Sequence, residues 1–400
     1  MINESIKIGN KIFPNRVVLQ PMEGCDCQED GSPSELTIEK YNKAARSGAG
    51  VIWMEATAVC PEGRTNARQM MLTEKNLPEF RAMVDGMRKI AKEECGIDPV
   101  LILQLTHSGR QSIRPMIAYR NDVYEKTKPM TDESIVSDEY LDTLHTLYAE
   151  AALLAVKAGF DGVDVKSCHG YLFQELLSAF SREGRYGGPF ENRARLYLDC
   201  VKAVKAVLPE GILLTSRLSV SDMVEKPWGF GTTEEGELDL TEPDMLLSEL
   251  VAAGVEILNV TVGNPYYNPH VNRPYRKGAY TPPESAAEGL ARFVTIEKHI
   301  KERFPTLTLV GSGMSYYRED LFERSEELLA AGVCDLVGYG RMWLAYPEFY
   351  TDYKKGEFNP KKCCLTCSQC TTLMRNGRVS GCAVFNEYYR ELLKEVLRGK

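Results

Sequence analysis

The chain predicts a (β/α)8 TIM barrel followed by a small cysteine-rich segment. Eight short runs rich in Val, Ile and Leu, with little in–out alternation, fill the first ~340 residues, as parallel strands covered on both faces require. Helix-length stretches separate these runs, and strand–helix alternation of this kind builds a parallel sheet. Four cysteines then stand close together near the C-terminus, at Cys364, Cys367, Cys370 and Cys382.

The strand candidates, in order, are residues 17–22, 50–56, 99–105, 161–167, 211–218, 255–261, 307–311 and 334–340. Residues 78–92, 139–159, 191–207, 242–253, 283–303 and 318–331 read as the helices between them. Pro78 and Pro283 open two of these, a position that suits proline because its missing N–H has no partner there anyway. A doubly wound sheet is the competing layout, but the first strand–helix turn carries no G-x-G-x-x-G. Residues 1–350 are therefore expected to form the barrel, and residues 351–400 the cysteine segment with a last helix over 387–398.

Composition narrows the class of function. Four hundred residues, 44% of them hydrophobic, can bury a large core. A net charge of −8 argues against nucleic acid or an anionic membrane as partner. The N-terminus shows no basic stretch followed by an apolar one, so no export signal is visible. No apolar run reaches the about 18 residues of a membrane span. Twelve cysteines without an export signal point to the reducing cytoplasm, where thiols stay free for metal. Cys25, Cys27, Cys60, Cys95, Cys168, Cys200 and Cys334 are scattered and read as small buried side chains.

The clustered cysteines have the spacing C-x2-C-x2-C-x11-C. Three thiolates within seven residues can face one point, and the fourth returns after the turn Asn376-Gly377. That compactness suits an iron–sulfur cube held by four thiolates, with Cys363 a bystander. A structural zinc site is the rival, although it more often uses two C-x2-C knuckles across a long loop. On the cluster reading, this protein moves electrons.

In such a barrel the chemistry sits at the C-terminal ends of the strands. The third strand runs into Gln104-Leu-Thr-His107-Ser-Gly-Arg110, and the fourth into Lys166-Ser-Cys168-His169-Gly-Tyr171. The fifth ends in Arg217, the seventh in Gly311-Ser-Gly313 and the eighth in Gly338-Tyr-Gly340-Arg341. In the last two turns, backbone N–H groups can approach a phosphate, with Arg341 supplying charge. His107 reads equally as a residue that only braces its own loop.

Several of these segments, in order, resemble the Old Yellow Enzyme (NADH:flavin oxidoreductase) family. They are Phe13-Pro-Asn-Arg-Val-Val-Leu-Gln-Pro-Met22, the Gln104 and His169 segments, Tyr186-Gly-Gly-Pro-Phe-Glu-Asn-Arg-Ala-Arg195 and Gly338-Tyr-Gly-Arg-Met-Trp-Leu344. The cysteines place the chain near the iron–sulfur subgroup that includes 2,4-dienoyl-CoA reductase and trimethylamine dehydrogenase. The resemblance implies FMN, with Gln104 and Arg217 at its pyrimidine edge and Pro21, Met22 and Ala56 around the ring. Gly311, Gly313, Gly340 and Arg341 would hold its phosphate. It further implies an ene-reductase acting on an unsaturated carbonyl or carboxylate compound, in which His169 polarises the oxygen and Tyr171 supplies the proton. A conjugated C=C accepts hydride only if charge on the enolate oxygen is stabilised, and its α carbon then needs an acid.

Three departures qualify the resemblance. Lys166 stands where the family usually has His or Asn, and offers a point charge to an oxyanion or carboxylate unless it pairs with Asp164 or Glu55. Glu23-Gly24 replaces the Cys or Thr that tunes the flavin in many relatives, so no tuning role carries over. The chain also ends eighteen residues after Cys382, where cluster-bearing relatives continue. The expected electron donor is therefore a ferredoxin-like carrier or a separate reductase subunit. Direct reduction by NAD(P)H, with a purely structural cluster, is the alternative, and a homo-oligomer is left open. Two rival activities stay in view. Amine dehydrogenation or demethylation would need an aromatic cage, for which Tyr266, Tyr267, Tyr275 and Tyr280 are candidates, and a lyase would use Lys166 as a Schiff base.

Overall fold

All eight apolar runs are strands: β1 (Val17–Leu19), β2 (Val51–Ala58), β3 (Val100–Thr106), β4 (Gly162–Val165), β5 (Leu213–Ser219), β6 (Ile257–Thr261), β7 (Thr308–Gly311) and β8 (Leu336–Tyr339). They pair in parallel in chain order, and β8 closes on β1 through Val337 opposite Val17 and Tyr339 opposite Leu19. The computed structural model describes residues 1–399 and is a (β/α)8 barrel. No helix among the described residues is long and apolar enough to cross a membrane.

The outer layer is α1 (Glu35–Arg46), α2 (Leu77–Ile90), α3 (Asp138–Ala158), α4 (Phe190–Val207), α5 (Thr241–Ala252), α6 (Ala286–Arg303), α7 (Leu321–Ala330) and α8 (Phe349–Lys355). Pro78 is the second residue of α2, but Pro283 lies ahead of α6. There Ser285 and Glu288 form a reciprocal capping box that fixes the start three residues later than the proline suggested. Sequence periodicity did not expose α1, because one of its inward positions is Lys40. That ammonium is buried between Asp26 and Glu55, so a charged residue occupies a core-facing position.

A two-stranded ribbon, Ile6–Ile8 against Lys11–Phe13, plugs the N-terminal mouth of the barrel. Its Ile8 and Phe13 join Val18, Trp53, Ile102, Leu213 and Val310 in the barrel's interior cluster. A larger cluster fills the layer between strands and helices. Both ends are thus specialised: the bottom is sealed with apolar side chains, and polar groups gather at the top.

The chain closes over that top. Two helices, α9 (Gln369–Arg375) and α10 (Glu387–Arg398), share a small cluster built on Leu373, Ala383, Leu393 and Val396. The Ser380 N–H donates to the Gly24 carbonyl at 2.6 Å, and the Arg276 N–H to Thr366 Oγ1 at 3.1 Å. Arg375 reaches the Pro265 carbonyl. The cysteine segment is thereby seated on the loops that follow β1 and β6.

Candidate active site

A solvent-open cavity of about 1210 Å³ lies at the C-terminal end of the barrel. Every catalytic and cofactor residue expected from the sequence lines it, with one exception. Gly311 does not. A Cβ there would meet Cys334 Sγ at 2.9 Å and Glu297 Oε2 at 3.4 Å, so its missing side chain makes room for the helix layer behind β7. Gly313 does face the cavity, and its φ of +87° is one that favours glycine. Ala56 reaches the cavity through a bulge: Met54 pairs with Leu103 but Ala56 with Gln104, and the residue between, Glu55, turns outward to Lys40.

Asp164, inside the barrel, organises the far wall. It accepts from Trp53 Nε1 at 2.8 Å, Gln104 Nε2 at 2.6 Å and the Arg217 N–H at 2.7 Å. Burial pushes its carboxyl up to about 6, while these donors pull the other way. With its amide nitrogen held by Asp164, Gln104 lines the cavity. The Arg217 guanidinium touches only the Pro21 carbonyl, at 3.5 Å, and its buried Nε has no partner. Burial lowers its pKa and the nearby Asp164 pulls the other way, while no ion pair holds the guanidinium itself.

The turn after β4 carries the three side chains that the sequence marks as catalytic candidates. Lys166 is 3% exposed and forms no ion pair; Asp164 and Glu55 are both engaged elsewhere. Its Nζ lies 3.7 Å from the centre of the Tyr171 ring, and burial lowers its pKa. His169 has φ +68°, a strained backbone for a non-glycine residue, and its buried Nε2 is unpartnered. Burial, with Arg217 and Lys166 nearby, holds its ring neutral. Tyr171 caps the short helix Leu172–Leu177 and directs its hydroxyl to Glu23 Oε2 at 3.4 Å. Burial, reinforced by Glu23, raises its pKa. His107, by contrast, is off the cavity. Its Nε2 contacts Tyr140 Oη at 2.9 Å, its Nδ1 accepts from the Gly109 N–H at 3.1 Å, and burial lowers it to about 4, so it braces its own loop.

Sequence reasoning missed three contributors. Glu23 lines the cavity beside Tyr171; the Pro-Met-Glu departure was visible, but nothing indicated where the carboxylate points. Arg273, from the loop after β6, brings an unpartnered Nε close to Arg341, whose Nη1 is also unpartnered. No motif marks it. Cys370, Met374 and Arg375 form part of the cavity's roof, an approach that no local pattern encodes. The four tyrosines that were candidates for a cage in the rival amine reading do not assemble. Tyr266 lines the cavity, whereas Tyr267 packs edge-on against Tyr124 and Tyr275 against Tyr280.

All four clustered cysteines line a second, smaller cavity of about 300 Å³ beside Arg341, while Cys363 is buried away from it. Thr366 and Ser368 flank Cys367 with φ of +49° and +59°, which winds the loop tightly, and the Thr366 N–H donates to Cys364 Sγ at 3.4 Å. The chain returns through Gly377 at φ +68°. Burial pushes Cys382 up to about 11. Among the described residues, no three His, Cys, Asp or Glu side chains close together as a single-ion site. Cys370 lines both cavities.

These residues fit FMN. Arg217 and Arg341 are buried cations with unsatisfied N–H groups, Gln104 lines the cavity beside them, and Gly313 and Gly340 open the turns after β7 and β8. A closed parallel barrel with this strand-end set suits a flavin-dependent oxidoreductase. Residues 2–359 match the NADH:flavin oxidoreductase / NADH oxidase family, the Old Yellow Enzyme group, and the chain belongs to it. It is 27% identical to an NADH oxidase of Thermoanaerobacter brockii over 369 residues, covering 90% of this chain and 52% of that one. It is also 27% identical to a cinnamate reductase of Clostridium sporogenes over 405 residues, covering 96% and 57%. The chain thus spans little more than half the length of these two relatives. A solved complex of 2-naphthoyl-CoA reductase with 2-naphthoyl-CoA shares the fold at TM-score 0.77 and 20% identity, over 98% of this chain and 58% of that one.

Proposed function

We propose that the protein is an ene-reductase for α,β-unsaturated carbonyl or carboxylate compounds, dependent on FMN and a [4Fe–4S] cluster. One observation carries the reading: Lys166, which forms no ion pair, His169, whose Nε2 is unpartnered, and Tyr171 line the same cavity. Two donors beside one acid are what an enolate oxygen and its α carbon need. FMN, when bound, supplies hydride. Gln104 and Arg217 would hold its pyrimidine edge, Pro21, Met22 and Ala56 would contact the ring, and Gly313, Gly340 and Arg341 would hold the phosphate. As hydride reaches the β carbon, the C=C electron pair shifts toward the carbonyl oxygen, where Lys166 and His169 bind the growing charge. The Tyr171 O–H bond then breaks as the α C–H bond forms. The name of the cinnamate-reducing relative supports this substrate class.

Cys364, Cys367, Cys370 and Cys382 are read as the ligands of the cluster. A cube spreads its thiolates over four irons, which suits thiols arranged around a cavity better than one zinc ion does. Because Cys370 borders both cavities, electrons from NAD(P)H, a ferredoxin-like carrier or a separate reductase subunit have a short way to the flavin. On this reading residues 1–350 are the FMN-binding barrel and 351–400 the cluster segment. An ammonium substrate is disfavoured, since the cage is absent and Lys166, Arg217 and Arg273 would repel it. Burial does lower Lys166 in the direction a Schiff-base amine needs, and borohydride trapping read by mass spectrometry distinguishes that lyase.

The test is the visible spectrum of anaerobically purified protein, followed by mixing the dithionite-reduced protein with a cinnamate-type enoate and with cyclohexenone. Flavin bands with a broad cluster shoulder, and flavin reoxidation with saturation of the C=C bond, are expected. A reduced flavin that neither compound reoxidises would refute the ene-reductase reading.

A further inference from the structure

We propose that Glu23 is the proton source that reloads Tyr171 after each turnover; this rests on the ene-reductase reading above. Tyr171 is buried, with Lys166 over its ring, so while product still fills the cavity the phenolate draws its proton from within the site. Glu23 is the only carboxylate lining the cavity among the described residues, and its Oε2 lies 3.4 Å from Tyr171 Oη. Its other oxygen, Oε1, accepts from Thr65 Oγ1 at 2.9 Å. Thr65 and Asn66 are half-buried and the next residues, Ala67 and Arg68, are exposed, so the chain of groups leads from the phenol to solvent. The backbone beside it is anchored: the following Gly24 N–H donates to Glu55 Oε2 at 2.7 Å, and Glu55 is itself paired with Lys40.

The transfer balances. The Tyr171 O–H bond breaks as the substrate's α C–H bond forms, leaving a phenolate beneath the Lys166 ammonium. Solvent delivers a proton to the Glu23 carboxylate through the Thr65 side, and the O–H bond so formed breaks as the Tyr171 O–H re-forms. The substrate leaves with one hydride and one proton added.

The experiment follows reoxidation of the dithionite-reduced holoenzyme by a cinnamate-type enoate over several turnovers. Wild type is compared with Glu23→Ala, Glu23→Gln, Tyr171→Phe and the Glu23→Ala/Tyr171→Phe double variant. Loss of the relay should slow steady turnover by on the order of 10²-fold, the lower end for a positioned proton donor. The first turnover should be nearly spared, because Tyr171 starts protonated. Added acetate should restore Glu23→Ala in proportion to its concentration, and the double variant should be no slower than Tyr171→Phe. Glu23 variants with normal steady turnover, or slow ones that acetate does not rescue, would overturn the relay while Tyr171→Phe still shows a defect. If Tyr171→Phe is itself unimpaired, the acid assignment fails and the relay with it.

Discussion

Replacing Lys166 with methionine separates function from structure, because the two readings of this lysine predict stability changes of opposite sign. The side chain is 3% exposed, has no carboxylate partner and has its pKa lowered by burial. Methionine keeps its length and most of its apolar contact while removing the desolvated charge. If the charge exists for catalysis, Lys166→Met should therefore stabilise the protein by roughly 1 kcal/mol, since an unpaired buried polar group is costly. For a chain of this length that is about 1–2 °C in Tm, below the 2–4 °C expected for smaller domains. The same change removes a donor from the developing oxyanion, and kcat should fall by about 10²–10³-fold, as it does when an oxyanion-hole group is lost. Differential scanning calorimetry of the holoprotein and single-turnover reoxidation give the two readouts. A variant that is less stable, or one that reduces the enoate at the wild-type rate, refutes the reasoning. Lys166→His adds a second comparison: a neutral donor should raise activity on cyclohexenone relative to the enoate.

Arg217→Ala should weaken FMN binding by about 1–3 kcal/mol, or lower its reduction potential, because a charged hydrogen-bonding partner is removed; flavin content after dialysis and a potentiometric titration measure this, and unchanged values exclude the role. Cys367→Ser should lose the cluster's iron and sulfide, and a variant that keeps about four irons per chain is incompatible with a [4Fe–4S] site at these cysteines. Glu297, buried behind the turn after β7, is raised by burial to about 8 from its ordinary 4.5. The folded state therefore keeps this proton longer than the unfolded state, and the stability it contributes is complete below about pH 4.5 and lost as pH rises through about 8. Glu297→Gln can keep the bond that Oε1 accepts from the Ser312 N–H at 2.9 Å, and should be more stable than wild type at about pH 9 but not at about pH 4. Urea denaturation at both pH values checks this, and an equal gain at both would contradict it.

What the sequence revealed and what it hid have separate physical causes. The strands were legible because both faces are buried, so each is an unbroken apolar run; β7 and β8 end within a residue of where the pattern placed them. The ribbon sealing the bottom was not, since each of its strands has only three residues and one inward side chain. Helix α1 was hidden by Lys40, whose burial depends on two acids from outside the helix, Asp26 and Glu55. That Gln104, Lys166, His169, Tyr171 and Arg217 meet at one cavity was legible because barrel geometry makes strand ends converge whatever the loops do. Glu23, Arg273 and the roof from α9 were not, because their positions follow from how loops fold over that convergence point. The cysteine segment makes the consequence concrete. Its spacing indicated four thiols around one point but not where that point would lie. The contacts of Ser380 with Gly24 and of Arg276 with Thr366 seat it on the flavin cavity, with Cys370 facing both spaces. The same helix that carries Cys370 also carries Met374 and Arg375 over the cavity, so a disturbance of the cysteines should alter the shape of the candidate active site.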